Sequence, residues 1–206
     1  MKYYELKKQL KDFAVFSLAD IRKIDPVFYR PRLNEWQRKS YIKKLRRGYY
    51  MFSDLSLNEK VLFLIANKLY TPSYISFETA LSYYGLIPEG VYSITSASSK
   101  KTVRFKTPMT EFSYKRIKQS HFFGYRLEEQ IGQHYKIAEI EKAVLDYIYA
   151  HPSIMQDADF YEWRFNSQDF LAKADLVKFR TYANAFKNKA FSKRVERFIS
   201  LINDSK

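Results

Sequence analysis

Hydrophobic positions in residues 1–52 recur at helical spacing in three short stretches, which predicts three helices. The first is expected over residues 3–12. Ser17 and Asp20 form a capping-box pattern that begins the second helix, and the Asp25–Pro26 pair ends it, because a residue before proline avoids helical geometry. The third helix is expected from Pro31 to Lys39, since proline is favoured in a first helical turn.

Two strand patterns follow these helices. Residues 41–45 and 49–52 are rich in β-branched, aromatic and aliphatic side chains, and they flank the triplet Arg46-Arg47-Gly48. Gly48 supplies the left-handed backbone conformation that a tight hairpin needs. Three helices and a basic hairpin are typical of a winged helix-turn-helix, and we predict such a domain over residues 1–54.

The remaining residues, 55–206, predict a larger mixed α+β domain that ends in basic helices. Asn58 caps an apolar helix, and Ser76 begins another helix that Gly85 ends. Strands are expected over 91–97, 102–107, 112–118 and 122–127, followed by a helix over 140–150. One amphipathic helix or a broken pair of helices is expected over 170–186, and a last helix over 191–202. The fold class predicted for the whole chain is α+β.

Composition narrows the setting. The chain has no cysteine, which excludes disulfides, thiol catalysis and cysteine-ligated metals. Its longest apolar run, residues 61–66, is too short to cross a bilayer, and the first residues lack the apolar centre of a signal peptide. We therefore expect a cytoplasmic protein without membrane association.

The net charge of +14 is concentrated at the two ends of the chain. Residues 1–52 carry 14 Lys and Arg against 5 Asp and Glu, residues 53–172 carry 13 against 14, and residues 173–206 carry 9 against 3. Clustered cations suit a polyanionic partner such as DNA, because neutralising phosphates releases counterions. A solvated, solubilising surface remains the alternative interpretation of the same charge.

The predicted winged helix gives these cations candidate roles. In that geometry the third helix enters the major groove, where Asn34 is a candidate reader of adenine and Arg32 or Arg38 of guanine. Cations of the hairpin would contact phosphates, which fix register without reading sequence. The candidate DNA-binding residues are Arg32, Asn34, Arg38, Lys39, Lys43, Lys44, Arg46 and Arg47.

Two further basic groups have less defined roles. They either continue a DNA footprint, meet an acidic partner or form the solvated outer faces of packed elements. The first group is Lys100, Lys101, Arg104 and Lys106, and the second is Lys193, Arg194 and Arg197.

Signals of catalysis are weak. His121, His134 and His151 lie at spacings that match no short metal-binding pattern, and no glycine-rich phosphate loop is present. The segment 139–142, EIEK, superficially resembles the carboxylate–lysine pair of metal-dependent nucleases, but it lies at a predicted helix start, where acidic residues favour the helix dipole. We expect no enzymatic activity, no cofactor and no metal site.

Several segments carry a family signature. Residues 74–89 read YISFETALSYYGLIPE, and they are followed by ITSAS at 94–98, KKT at 100–102, IA at 137–138 and EKAVLD at 141–146. In the N-terminal part, Trp36, YI at 41–42 and LRRGYY at 45–50 fit the same pattern. Together these segments resemble the AbiEi-type antitoxins of abortive-infection, type IV toxin–antitoxin systems. Ser40 is one departure, since such proteins often have glycine there.

The resemblance implies a function in phage defence. AbiEi-like proteins are transcriptional regulators and antitoxins that repress their own operon through a winged helix, and their larger domain is needed to counter a nucleotidyltransferase-like toxin encoded alongside. Double-stranded DNA of the chain's own promoter is then the expected partner, with inverted repeats read by two copies. The alternative is a protein-interaction module that binds a toxin or another protein without sequence-specific DNA binding.

Overall fold

A computed structural model describes residues 1–88 and 92–204 of the chain. The fold is mixed α+β. We call residues 1–54 the N-terminal unit and the rest the body. The N-terminal unit contains α1 (Tyr3–Leu10), β1 (Phe16–Ser17), α2 (Leu18–Ile24), α3 (Arg32–Arg38), β2 (Ile42–Arg46) and β3 (Tyr49–Phe52). Its three strands form an antiparallel sheet in the order β1-β3-β2.

Local chemistry accounts for these elements. The capping box predicted for α2 is confirmed, because the Asp20 amide donates to Ser17 Oγ at 3.3 Å and the Ser17 amide donates to Asp20 Oδ2 at 2.8 Å. Gly48 has φ +84° in the β2–β3 turn, as predicted. Ser40 has φ +56°, the left-handed region that favours glycine. Serine therefore keeps the backbone conformation that glycine adopts easily at this position.

The N-terminal unit has its own hydrophobic core, and one face of its hairpin joins the core of the body. Leu33 and Trp36 of α3 pack with α1 and β3 inside the unit. Leu45 and Met51, on β2 and β3, instead belong to the core of the body, together with Ala14 and Val15. The hairpin is therefore packed against the body on one face.

The body is built on a six-stranded sheet in the order β6-β7-β5-β4-β9-β8. Its elements through the sheet are α4 (Glu59–Leu69), β4 (Ser73–Ile75), α5 (Phe77–Tyr83), β5 (Ser93–Ser98), β6 (Val103–Lys106), β7 (Glu111–Arg116), a 3₁₀ turn (Gln119–His121), β8 (Tyr125–Gln130), β9 (Gln133–Ala138) and α6 (Ile140–Ala150). Strand pairs β4–β9 and β5–β7 are parallel, and the other pairs are antiparallel.

Helices cover both faces of this sheet. On one face, the Tyr114 hydroxyl of β7 donates to the Ala66 carbonyl of α4 at 2.7 Å. On the other face, the Tyr74 hydroxyl of β4 donates to Asp146 of α6 at 2.7 Å. Because side chains alternate along a strand, the sheet supplies both layers of the core.

Four helices follow α6 in the described residues: α7 (Asp157–Glu162), α8 (Ser167–Lys173), α9 (Leu176–Ala185) and α10 (Lys189–Asp204). Of the two alternatives predicted for 170–186, the structure has the broken pair, α8 and α9. Within the described part of the chain, no helix combines the length and hydrophobicity needed to cross a lipid bilayer.

Several predicted elements are confirmed and others are corrected. Helix α6 has the predicted bounds, Asn58 caps α4 by accepting from the Val61 amide at 2.9 Å, and Gly85 has φ +72°. The strand predicted over 122–127 is displaced to β8, because the Phe122 and Phe123 amides continue the preceding turn by donating to the Gln119 and His121 carbonyls, and Gly124 has φ +69°. The strand predicted from residue 91 begins at Ser93, and Val91 and Glu89 lie outside the described residues. Among the described residues, five elements were not predicted: β1, β4, the 3₁₀ turn, β9 and α7.

Candidate nucleic-acid interface

Helix α3 separates a buried face from an exposed polar face. Leu33 and Trp36 are 1% and 4% exposed and anchor the helix in the core of the N-terminal unit. Asn34 and Arg38, one turn apart, are exposed on the opposite side. The structure therefore brings these two candidate base-reading residues together on one helical surface.

Arg32 and Lys39 lie on a different side of α3 from Asn34. The Arg32 guanidinium donates to the Met1 carbonyl oxygen, and Arg32 is half-buried. Lys39 forms an ion pair with Glu35, with its ammonium 2.7 Å from the Glu35 carboxylate. Both cations line a groove between α1, α3 and β2. Each of these two cations already has a partner within the N-terminal unit, so neither is free for DNA unless that contact breaks.

The β2–β3 hairpin exposes three of its four candidate cations. Lys43, Lys44 and Arg47 are exposed, and Leu45 between them is buried against the body. Arg46 is half-buried, with its guanidinium carbon 4.8 Å from the Tyr49 ring centroid and 4.6 Å from that of Phe105. A guanidinium at these distances is held by cation–π attraction. Arg46 therefore ties the hairpin to the body, and replacing it would disturb packing as well as charge.

The first additional basic group lies beside the hairpin. Arg104 and Lys106 are exposed on edge strand β6 and flank Phe105, the residue that contacts Arg46. Lys100 and Lys101 lie in the connection between β5 and β6. The Lys100 ammonium is 5.7 Å from the centre of the Tyr70 ring, which in turn contacts Phe105 edge-on.

The second additional basic group is on α10 and is largely occupied within the protein. Arg194 donates to the Ile148 carbonyl at 3.3 Å, and the Arg197 guanidinium is 2.6 Å from the Asp157 carboxylate. Lys193 is exposed. Two of these three cations therefore help to hold α10 against α6 and α7.

A buried polar network in the body was not predicted from the sequence. Lys142 and Asp146, one turn apart on α6, are each 0% exposed and form an ion pair. Asp146 Oδ2 also accepts hydrogen bonds from Tyr74 Oη at 2.7 Å and Ser76 Oγ at 2.8 Å. The Lys142 ammonium donates to Tyr74 Oη at 2.9 Å. These residues belong to the segments that resemble the antitoxin family.

Aromatic rings and a closely packed glycine surround the buried Lys142 side chain. Its ammonium lies 5.2 Å and 5.1 Å from the ring centroids of Phe123 and Phe186. Gly124 has φ +69°, and a Cβ atom there would lie 3.0 Å from the Lys142 side chain and 2.9 Å from the Tyr182 ring. Burial lowers the pKa of Lys142, and the neighbouring Asp146 carboxylate offsets part of that effect. Burial and the same carboxylate raise the pKa of Tyr74 well above its ordinary value.

The two carboxylates of segment 139–142 both contact Lys178 of α9, whose ammonium is 3.0 Å from Glu139 and 3.6 Å from Glu141. Glu139 accepts from Tyr182 Oη at 2.6 Å, and Glu141 accepts from the Asp175 amide at 2.9 Å. Both carboxylates thus hold α9, whereas Lys142 turns into the body. Their arrangement is that of interhelical contacts.

The three histidines lie apart from one another. His121 is buried between the rings of Tyr149 and Phe186, and His134 is exposed on β9. His151 stacks on Tyr147. Within residues 1–88 and 92–204, no group of three or more histidine, cysteine or acidic residues is arranged to hold a metal ion.

Comparison of the chain with models of protein families gives no match, and comparison with curated proteins gives none. The resemblance to AbiEi-type antitoxins stays a prediction drawn from the sequence segments.

Proposed function

We propose that the chain is a DNA-binding transcriptional autorepressor and the antitoxin of a type IV, AbiE-like toxin–antitoxin system. The observation that carries this proposal is the N-terminal unit, in which α3 exposes Asn34 and Arg38 while the adjoining hairpin exposes Lys43, Lys44 and Arg47. We interpret this unit as a winged helix-turn-helix, with α3 as the recognition helix and the β2–β3 hairpin as the wing.

The arrangement suits the division of labour in protein–DNA contacts. An asparagine can pair with adenine through two hydrogen bonds, and an arginine with guanine in the same way. Asn34 and Arg38 carry these groups on a helix anchored by Leu33 and Trp36. The cations of the hairpin supply phosphate contacts, which strengthen binding to any sequence and fix the register. We propose that two copies bind the two halves of an inverted repeat.

The antitoxin half of the proposal comes from the resemblance of the sequence segments. Those segments supply Tyr74, Ser76, Lys142 and Asp146, the members of the buried network. They also supply the whole of helix α5. The shared segments therefore build the interior of the body, and the body is the part to which the resemblance assigns antitoxin activity.

A promoter-reporter measurement tests the repressor half. The wild-type chain, supplied in trans, is expected to lower expression from the DNA upstream of its own gene. The variant Lys43→Ala/Lys44→Ala/Arg47→Ala is expected to lose most of that repression, because three phosphate contacts disappear without loss of a buried group. A matched control, Lys60→Ala/Arg180→Ala/Lys189→Ala, removes the same number of exposed cations elsewhere and should repress like the wild type.

A growth assay tests the antitoxin half separately. Co-expression of the chain with the nucleotidyltransferase-like protein encoded beside it should restore growth that this protein alone prevents. The hairpin variant should still restore growth if the toxin is supplied from an independent promoter. Absence of rescue by the wild-type chain would exclude antitoxin activity towards that toxin and would leave the repressor half to stand on the reporter result.

A further inference from the structure

The outer edge of strand β8 is not paired with another strand of the described residues, and Arg126, Leu127 and Glu129 are exposed on it. β8 is the last strand of the six-stranded sheet, and none of the described residues forms a strand along its outer side. It is six residues long and contains no proline, and Leu127 at its middle is 62% exposed. Such an edge presents unpaired N–H and C=O groups that another strand can use.

The hairpin geometry identifies which backbone groups point outward. β8 and β9 are joined by the two-residue turn Ile131-Gly132, with φ +49° and +69°. In such a hairpin the residues flanking the turn, Gln130 and Gln133, hydrogen-bond to each other, and bonded residues then alternate along the strand. The Glu139 amide donates to the Gly124 carbonyl at 2.9 Å, which fits this alternation. The backbone groups left pointing outward are those of Tyr125, Leu127 and Glu129.

The charges of β8 favour one way of pairing two copies. Within one copy, Arg126 Nε lies 2.8 Å from the Glu128 carboxylate on the same face of β8. In an antiparallel pair centred on Leu127, each Leu127 faces its counterpart, and each Arg126 also faces the second copy's Glu128, so the two ion pairs would form one cluster of alternating charge. Opposite charges across a strand pair are favourable, and like charges directly opposite are unfavourable. Centring the pair on Arg126 or on Glu128 would place like charges opposite each other. In this register the outward N–H and C=O groups of Tyr125, Leu127 and Glu129 lie opposite those of Glu129, Leu127 and Tyr125 of the second copy, so they can hydrogen-bond.

We propose that the outer edge of β8 is a self-association surface, and that its occupant is the β8 strand of a second copy of this chain. The contact is two-fold symmetric, because the same residues contribute on both sides. It joins two six-stranded sheets into one continuous sheet and buries the exposed Leu127 side chains against each other.

The opposite edge of the sheet does not offer the same pairing. Strand β6 carries Arg104 and Lys106 on either side of Phe105. An antiparallel self-pair centred on any of these three residues places one cation directly opposite another, which is unfavourable. Charge complementarity therefore distinguishes β8 from β6.

Cross-linking of single-cysteine variants tests the proposed register. The chain has no cysteine of its own, so Leu127→Cys introduces a single thiol. In the proposed pair the two Cα atoms at this position are about 5.5 Å apart, within the range of disulfides. Glu129→Cys is the matched control on the same strand face, since its counterpart is four residues away, roughly 13 Å.

We expect mild oxidation to produce at least about tenfold more covalent dimer from the Leu127→Cys variant than from the Glu129→Cys variant, because only the first pair lies within disulfide range. Equal or absent cross-linking of the two variants would overturn the proposed register.

Sedimentation equilibrium tests the charge pairing without a cysteine. Arg126→Glu is expected to weaken dimerisation by about tenfold or more, because two attractive cross-strand pairs become repulsive. The exchange Arg126→Glu/Glu128→Arg should restore dimerisation, because it re-creates opposite charges. A wild-type chain that stays monomeric throughout the micromolar range would overturn the proposal, as would a failure of the exchange to restore dimers. Neither measurement involves DNA, so the outcome is independent of the proposed function.

Discussion

Replacing Asp146 by alanine is expected to lower the free energy of unfolding by about 3–5 kcal/mol, the cost of removing one partner from a buried ion pair. The substitution leaves the fully buried Lys142 ammonium without its carboxylate, and it leaves Tyr74 Oη and Ser76 Oγ without their acceptor. Because a domain is stable by only about 5–15 kcal/mol, this loss is a large fraction of the total. Urea unfolding followed by circular dichroism measures it.

The chain contains a matched control for this effect. Lys173 and Asp169 form an ion pair with the same one-turn spacing on α8, with side chains 48% and 43% exposed. Asp169→Ala should cost only about 0.2–1 kcal/mol, as is usual for exposed pairs. The double variant Lys142→Met/Asp146→Leu should recover much of the stability lost by Asp146→Ala, because no unpaired charge remains buried. Equal effects of Asp146→Ala and Asp169→Ala would contradict the importance of the network.

Removing the three exposed cations of the hairpin is expected to change the salt dependence of DNA binding more than any other surface change. The logarithm of affinity falls with the logarithm of salt concentration in proportion to the number of phosphates neutralised. The variant Lys43→Ala/Lys44→Ala/Arg47→Ala should therefore reduce the magnitude of that slope by about 3, one for each phosphate contact. Fluorescence anisotropy over a series of salt concentrations gives the slope.

The control for the slope is the variant Lys60→Ala/Arg180→Ala/Lys189→Ala, which removes equal charge from exposed positions outside the N-terminal unit. Its slope should match that of the wild type. If both variants reduce the slope equally, net charge and not the hairpin accounts for binding. Arg46 is kept in both variants because its guanidinium packs between Tyr49 and Phe105.

Local sequence signals were enough to predict the elements with strong caps and clear periodicity. Ser17 with Asp20, Asn58 and Gly85 mark helix ends that depend on side-chain and backbone geometry within four residues, and these predictions are confirmed. The strand β9 was not predicted, because its sequence, QHYKIA, mixes charged and apolar residues without clear alternation. The predicted position of its partner β8 was wrong because Phe122 and Phe123, which look like strand residues, continue a turn.

The sequence predicted those features of the candidate site that depend on a single helix or strand, but not contacts between elements far apart in the chain. The exposure of Asn34 and Arg38 follows from helical spacing around Leu33 and Trp36. The position of Arg46 against Phe105 does not, because it joins residues far apart in the chain. The buried network had one usable signal, Lys142 and Asp146 four residues apart within an apolar helix. Lysine and aspartate are rarely buried, so this spacing alone does not indicate a buried pair.

The affinity of the wild-type chain for the DNA upstream of its own gene tests whether the N-terminal unit binds operator DNA. The measurement compares this DNA with an unrelated duplex as competitor at two salt concentrations. We expect an affinity at least about 10³-fold higher for the upstream DNA than for unrelated DNA, with steep weakening as salt increases. Equal affinity for both duplexes, or binding that salt does not weaken, would contradict operator binding by the N-terminal unit.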